Sequence, residues 1–209
     1  MWVDKFQKMK DRRPPDDTPE KFWRSAGIYA EFGQIICISV GVLSKGKFIL
    51  KSFSGTDEKK LLIEFAGLLK DSFARPDSKL CSHNWKEFDF PYIARRMLIL
   101  GLKLPYLLNI AGKKPWEVQL LDSMELWKFG DYKSYTSLNL LATVLGVPTP
   151  KDDIDGSQVY DVYYTEGNLE RIVTYCQKDV LTVAQILRRM RGEPLIAPED
   201  VQIRVKAES

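Results

Sequence analysis

The sequence lacks the clustered cysteines and histidines from which zinc sites are built. It has one histidine and three cysteines, and Cys37, Cys81 and Cys176 stand far apart with no Cys-x-x-Cys pair among them. Zinc sites need several such ligands at short spacings, so a zinc centre is not expected. A metal bound here must be a hard ion held by carboxylate oxygens. The three cysteines lie in apolar segments, which is typical of small buried residues in reduced proteins.

Long apolar runs are also missing. No run approaches the roughly 20 residues that a helix needs to cross a bilayer. The charged N-terminus, MWVDKFQKMKDRRPP, lacks the apolar stretch of a secretory signal. We therefore expect no membrane association and a cytoplasmic location. The hydrophobic content of 44% and charged content of 28% are those of a folded globular chain. The net charge of +3 permits a nucleic-acid partner but does not require one.

The order of predicted elements indicates an α/β fold with a mixed sheet flanked by helices. Gln34–Leu43 and Lys47–Phe53 surround a Lys-Gly turn and predict a hairpin. Strands and helices then alternate: a helix opening at Thr56, a strand over Lys79–His83, a helix over Phe90–Leu100, a strand near Val118–Leu121, and helices over Ser137–Leu145, Val159–Tyr164 and Leu169–Arg189. We expect one domain over residues 27–191, with residues 1–26 as a polar segment of the same domain that contains a helix starting at Thr18. Residues 192–209 are expected to form a peripheral tail.

The last long helix carries two polar side chains at a helical spacing. Its apolar residues fall within one arc about 100° wide, which predicts the face that packs on the sheet. Tyr175 and Asp179 are four residues apart and share a face beside that arc. A hydroxyl and a carboxylate would therefore project together at the rim of the helix–sheet interface, where a cleft could hold a metal and a water. The plainer alternative is a boundary tyrosine next to an ordinary surface aspartate.

A second polar group, HNWKEFD, lies between a predicted strand and a predicted helix. Loops in this position often surround ligands. Asp89 precedes Phe90-Pro91 and suits a helix N-cap and a catalytic carboxylate about equally well. Asn84 suits a turn, Phe88 a core anchor, and His83 the end of a strand better than a base.

Together these segments resemble the second and third motifs of the DEDD superfamily of 3′–5′ exonucleases, tyrosine branch. Three segments are similar in sequence to bacterial proteins related to the exonuclease domain of family B DNA polymerases. They are CSHNWKEFDFPYIARRMLILGLKLP, LLDSMELWKFGDYKSYTSLNLLATVLGVPTPK and DIDGSQVYDVYY. The resemblance runs from about Ile28 to Arg191. It implies a ribonuclease H-like sheet and two divalent ions, Mg²⁺ or Mn²⁺, gathered by four carboxylates.

The resemblance also implies roles for individual residues. Asp89 and Asp179 would be metal ligands, and Tyr175 would orient or activate the attacking water. Asn84, Phe88 and Lys151 would bind nucleic acid, with the Asp155-Gly156-Ser157 turn lining the cleft. Asp122 has no implied role beyond capping the residues from Met124. Single-stranded DNA or DNA 3′ ends are the implied substrates, RNA is not excluded, and Arg95, Arg96 and Lys103 are candidates for phosphate contacts.

One motif of this superfamily is absent. The family's first strand bears Asp-x-Glu, the source of two carboxylates, and the sequence contains no Asp-x-Glu. The first predicted strand, Gln34–Leu43, corresponds to the family's second, so the central first strand is expected upstream of Met1. We expect little or no exonuclease activity from this chain alone, and marginal solubility, because inner strand edges stay unpaired. The alternative function is a catalytically silent nucleic-acid-binding module on the same fold.

Overall fold

A computed structural model describes residues 1–9, 16–73, 75, 77–133, 135–149 and 153–204. Its helices and strands are, in chain order, α1 (Trp2–Lys8), β1 (Cys37–Ser44), β2 (Lys47–Ser54), α2 (Glu58–Phe73), β3 (Leu80–Ser82), α3 (Asp89–Ile99), β4 (Leu120–Asp122), α4 (Ser123–Lys128), α5 (Leu138–Val144), α6 (Val159–Tyr164), α7 (Leu169–Met190) and β5 (Val201–Arg204). Within these ranges no helix has both the length and the apolar character needed to cross a bilayer.

The strands form one three-stranded sheet and one parallel pair. β1 and β2 are antiparallel, and the two-residue turn between them, Lys45-Gly46, has positive φ at both positions as tight hairpin turns require. β5 adds to β2 in parallel, with Phe48 opposite Val201. β3 pairs with β4 in parallel, with Ser82 opposite Asp122. The mixed α/β fold expected from the sequence is confirmed.

Helices cover both faces of these strands. Apolar residues of α2 and α3 share one core with Ile38 and Val40 of β1, Phe53 of β2, Leu80 of β3 and Leu120 of β4. α7 packs on β1 and β2 from the opposite face and also contacts β3. Gly41 permits this approach, because a Cβ there would lie 2.3 Å from the Phe48 ring and 2.9 Å from Val180. The two groups of strands therefore belong to one layered domain.

Within the part of the chain that the structure describes, each group of strands has an edge without a partner strand. Among the described residues β1 pairs only with β2, and β3 pairs only with β4. The second half of β1 is exposed, including Val42 and Leu43, although its β-branched sequence suits a covered strand. Unpaired edges of this kind bind further strands readily.

The first 36 residues differ from the sequence prediction. The helix predicted to start at Thr18 is wrong, because the chain instead forms a short 3₁₀-helix over Phe22–Ile28. Aromatic packing determines this region: the Trp2 ring lies 6.1 Å from Phe22 and 5.3 Å from Phe32 between centroids. Such contacts between separate segments override local helix preference. At the other end, the segment expected to be peripheral supplies β5, which occupies the outer edge of the sheet.

Candidate active site

The residues proposed as catalytic lie on α3 and α7, and α7 contacts both β1 and β3. Cys176 of α7 hydrogen-bonds the thiol of Cys37, the first residue of β1. That hydrogen bond, burial, and the negative charges of Asp179 and Asp89 raise the pKa of the Cys176 thiol. The charges of both carboxylates reach this half-buried sulfur, although one lies in α3 and the other in α7. β3, which leads to Asp89, and α7 are far apart in the sequence and are in contact in the fold.

Asp89 is the first residue of α3, and its side chain does not cap the helix. Phe88 occupies the N-cap position, and Asp89 accepts a hydrogen bond from the Ser82 hydroxyl at the end of β3. The pKa of Asp89 is raised, mainly because burial penalises the charged form; the Ser82 hydrogen bond lowers it and the Asp122 charge raises it further. The sequence suited Asp89 to a helix N-cap or to a catalytic carboxylate, and the structure does not support the N-cap. The carboxylate lies instead at the strand end beneath α7.

Tyr175 and Asp179 lie on one face of α7, as their spacing predicts. The pKa of Tyr175 is raised by burial first, then by the charge of Asp179 and by a hydrogen bond to it. A hydrogen bond that raises a phenol pKa is one that the hydroxyl donates, so the Tyr175 hydroxyl donates to the Asp179 carboxylate. The turn at Gly156 passes beside this pair, because a Cβ on Gly156 would lie 4.0 Å from the Tyr175 oxygen. Tyr175 is therefore a neutral hydrogen-bonding group at neutral pH.

Asp122 holds the loop that precedes Asp89. Its buried carboxylate accepts hydrogen bonds from the backbone N–H groups of Asn84 at 2.9 Å, Trp85 at 3.0 Å and Met124 at 2.9 Å. The bond to Met124 is the helix cap expected from the sequence. The bonds to Asn84 and Trp85 were not predicted from the sequence, because they depend on the parallel pairing of β3 with β4.

His83 is a structural residue, as expected. Its Nε2 lies 2.8 Å from the Thr136 carbonyl and must donate to it, while Nδ1 lies 2.9 Å from the Ser123 hydroxyl and accepts from it. The pKa of His83 is lowered, mainly because burial penalises the charged imidazolium. The ring is therefore neutral. His83 therefore ties the end of β3 to the segment before α5.

The residues proposed to bind nucleic acid differ in accessibility. Phe88 is 47% exposed, with its ring 5.3 Å from that of Tyr92, so it does not serve as a core anchor. Asn84 has a left-handed backbone with φ of 59°, and its side-chain amide donates to Glu87 at 3.2 Å. Lys151 lies outside the described residues. Asn84 and Phe88 stand on the surface of the loop that leads to Asp89.

The suggestion that Arg96 contacts phosphate is wrong. Arg96 is buried, donates to both oxygens of Glu58 at 2.8 and 2.5 Å, and donates to the Ala30 carbonyl at 2.8 Å. Arg96 lies on the inner face of α3, one position from Arg95, which is exposed. Arg95 and Lys103 remain accessible to a ligand.

The side chains that could hold a metal are few. Among the described residues no group of three or more Asp, Glu, His or Cys side chains is arranged to bind an ion. Asp89 and Asp179 are two hard oxygen donors, which suits Mg²⁺ because that ion often takes one or two carboxylates and completes its shell with water. Asp122 is committed to three backbone N–H groups. The donor chemistry fits a divalent ion, but the set is too small for two.

Replacement of Asp122 by Asn is expected to loosen the loop before Asp89. The carboxylate offers two acceptor oxygens to the backbone N–H donors, whereas the amide of Asn offers one. We therefore expect a loss of about 2 kcal/mol in the free energy of unfolding. Hydrogen exchange at the Asn84 and Trp85 amides should become faster. Ser137→Ala is the matched control, because Ser137 caps α5 by accepting from Leu140 and its loss should cost about 1 kcal/mol without changing those two amides. Unchanged exchange in Asp122→Asn would contradict the role given to this carboxylate.

Replacement of Asp89 by Asn is expected to stabilise the fold near neutral pH. The pKa of Asp89 is higher in the folded state than in the unfolded state, so the folded state binds the carboxyl proton more tightly. This contribution to the free energy of unfolding is fully present below the unfolded-state pKa and is lost as the pH rises through the folded-state pKa. Asn cannot ionise, so the variant should gain about 1 kcal/mol at pH 7. Urea unfolding in EDTA should show this gain shrinking as pH falls towards about 4, near the ordinary aspartate pKa. A gain that does not depend on pH would contradict burial of a charged Asp89.

Comparison with known proteins shows which family the chain resembles. Residues 28–195 match a family described as a predicted 3′–5′ exonuclease related to the exonuclease domain of PolB. The chain belongs to this family. The match covers β1 to α7 and therefore includes Asp89, Tyr175 and Asp179.

A curated relative points in the same direction. A DNA polymerase from Pyrococcus glycovorans is 22% identical over 163 residues, which cover 67% of this chain and 20% of the polymerase. The chain thus spans about a fifth of the length of this relative. The exonuclease-family match, supported by the polymerase relative, agrees with the resemblance found in the motifs.

Proposed function

We propose that this chain is a 3′–5′ exonuclease domain that removes nucleotides from DNA 3′ ends by metal-dependent hydrolysis. The proposal is supported by the contact of α7 with β3, whose last residue, Ser82, donates to Asp89, and by the hydrogen bond from Tyr175 to Asp179. In this proposal Asp89 and Asp179 are the metal ligands, the ions are Mg²⁺ or Mn²⁺, and the substrate is single-stranded DNA or an unpaired 3′ end.

The residue types suit phosphodiester hydrolysis. A bound divalent ion would lower the pKa of a water and offset charge on the leaving oxygen. Asp89 and Asp179 supply oxygen ligands from two elements that the core holds in place. Tyr175 stays protonated, donates to Asp179, and keeps a lone pair that can accept from a water. Its role is therefore to position the attacking water, and it is unsuited to act as a base.

The same contacts support a low activity for this chain alone. Asp89 and Asp179 are the two carboxylates assigned to the site, and among the described residues no group of three or more possible ligands is present. The start of β1 and the end of β3 both lie near the proposed ligands. Among the described residues, each of these two strands has an edge without a partner strand. A further strand paired to either edge would pass beside Asp89 and Asp179. We propose that such a strand, carrying Asp-x-Glu, supplies the remaining ligands of a two-ion centre.

The test compares two forms of the protein. The Asp-x-Glu form is the chain preceded by a strand that ends in Asp-x-Glu, and the Asn-x-Gln form differs only in those two side chains. Both should fill the open edges equally, but only the first adds carboxylates. We expect Mn²⁺-dependent loss of nucleotides from the 3′ end of single-stranded DNA by the Asp-x-Glu form, and release near background by the Asn-x-Gln form and by the chain alone. Equal activity in all three would contradict the proposed ligand set.

A silent nucleic-acid-binding module is the second candidate, and the small described ligand set favours it. The two candidates differ in what Mn²⁺ does. A silent module should bind single-stranded DNA with the same affinity and thermal stability whether or not Mn²⁺ is present. In the exonuclease, Mn²⁺ should raise the Tm of the chain, because an ion that binds only the folded state stabilises it.

A further inference from the structure

Beyond the residues already discussed, we propose that the segment after α4 is a stacking surface for single-stranded nucleic acid. This aromatic loop comprises residues 129–133 and 135 and presents Phe129, Tyr132 and Tyr135. These side chains are 91%, 95% and 67% exposed. The proposal rests on the proposed function, because it adds a binding surface for the same substrate.

The backbone at Phe129 is the first observation. Phe129 ends α4 in the left-handed conformation, with φ of 46° and ψ of 33°. Glycine is the usual residue at such a helix end, and other L-residues adopt it at a cost of about 1 kcal/mol. Burial does not offset this cost, since the ring is almost wholly exposed. Strained residues with no structural benefit often mark functional positions.

The arrangement of the rings favours nucleic acid over a protein partner. Protein-binding apolar patches are contiguous, whereas among the described residues none of these three rings contacts another aromatic ring. They are separated by Gly130, Asp131 and Lys133, and the Lys133 side chain is exposed. Separate flat rings beside a cation suit successive bases and their phosphates, because each base offers a face for stacking.

The loop is attached to the candidate active site at both of its ends. α4, which precedes the loop, is capped by Asp122, the carboxylate that also accepts from the Asn84 and Trp85 backbone N–H groups. The residue after the loop, Thr136, accepts from His83 at 2.8 Å. The aromatic loop is therefore held next to the segment that leads to Asp89. A strand whose 3′ end reached that segment could stack its preceding bases on the loop.

The test measures binding of a short oligothymidine by fluorescence anisotropy in EDTA, so that hydrolysis plays no part. We expect Tyr132→Ala and Phe129→Ala each to weaken affinity about tenfold, in line with the loss of one stacked base. Tyr132→Phe keeps the ring and should bind like the unaltered chain. Trp116→Ala is the matched control, because Trp116 is 77% exposed beside Lys114 on the loop before β4 and should leave affinity unchanged.

Phe129→Gly separates binding from folding. Glycine relieves the left-handed strain, so this variant should have the same or a higher Tm and still bind the oligothymidine about tenfold more weakly. Unchanged affinity in Phe129→Gly and Tyr132→Ala would overturn the proposal and leave a protein partner as the explanation of the exposed rings. An equal loss in Trp116→Ala, or no binding by the unaltered chain, would also overturn it. Failure of the proposed function has a different signature, namely normal oligothymidine binding without Mn²⁺-dependent hydrolysis by the Asp-x-Glu form.

Discussion

Asp179→Ala is expected to reduce metal-dependent nucleotide release by about a thousandfold in the Asp-x-Glu form, which corresponds to about 4 kcal/mol of transition-state stabilisation. In the proposed site Asp179 is a metal ligand, and it is also the acceptor for Tyr175, so its loss would remove both functions. The fold should survive, because the change costs one hydrogen bond at the rim of α7, worth about 1 kcal/mol. The measurement is the rate of mononucleotide release from a 3′-labelled oligonucleotide in Mn²⁺, with circular dichroism as the check on folding.

Two further variants make this prediction specific. Asp179→Asn keeps an acceptor for Tyr175 but removes the charge, and it should lose nearly as much activity as Asp179→Ala. Asp200→Asn, the control, removes a carboxylate that precedes β5 and pairs with Lys47 of β2, and it should leave the rate unchanged. A rate in Asp179→Ala within a few-fold of the unaltered protein would remove this residue from the site.

Arg96→Met is expected to destabilise the fold by about 3–5 kcal/mol, because it leaves the buried Glu58 carboxylate without its cation. Of the hydrogen-bond donors among the described residues, Glu58 would keep the backbone N–H of Ile35, at 2.8 Å. The Ala30 carbonyl would lose its donor as well. Urea denaturation at pH 7 measures the change in the free energy of unfolding.

The double variant Glu58→Gln with Arg96→Met should recover part of that loss, because no unpaired charge then remains buried. Lys47→Met is the surface control: it breaks the exposed ion pair with Asp200 and should cost no more than about 1 kcal/mol. If Arg96→Met cost as little as Lys47→Met, the buried pair would have no particular importance for stability.

Local pattern was sufficient for most elements of the fold. The sequence prediction of α6 over Val159–Tyr164 agrees with the structure at both ends, and that of α7 differs by one residue. Helix periodicity placed Tyr175 and Asp179 on one face because they belong to one uninterrupted helix. The hairpin followed from β-branched residues on either side of a Lys-Gly turn. In each case the information lies within a few residues of the element.

The features that could not be predicted depend on contacts between distant segments. Nothing near Arg96 in the sequence indicates that it faces Glu58, since α3 can be rotated by one position without breaking its pattern. The bonds from Asp122 to Asn84 and Trp85 require the parallel pairing of β3 with β4. The 3₁₀-helix over Phe22–Ile28 depends on Trp2, at the other end of the N-terminal segment. Local sequence patterns describe each of these residues separately and do not show which distant residue each one contacts.

A Mn²⁺ titration followed by Tm is the most direct test of the proposed metal site, because it needs no turnover. We expect Mn²⁺ to raise the Tm of the unaltered chain, with no rise in Asp89→Asn or Asp179→Asn and a normal rise in the control Asp200→Asn. Oligothymidine affinity in EDTA should be equal in all four proteins. The same rise in all four, or no rise in any, would contradict the assignment of Asp89 and Asp179 as the ligands of a divalent ion.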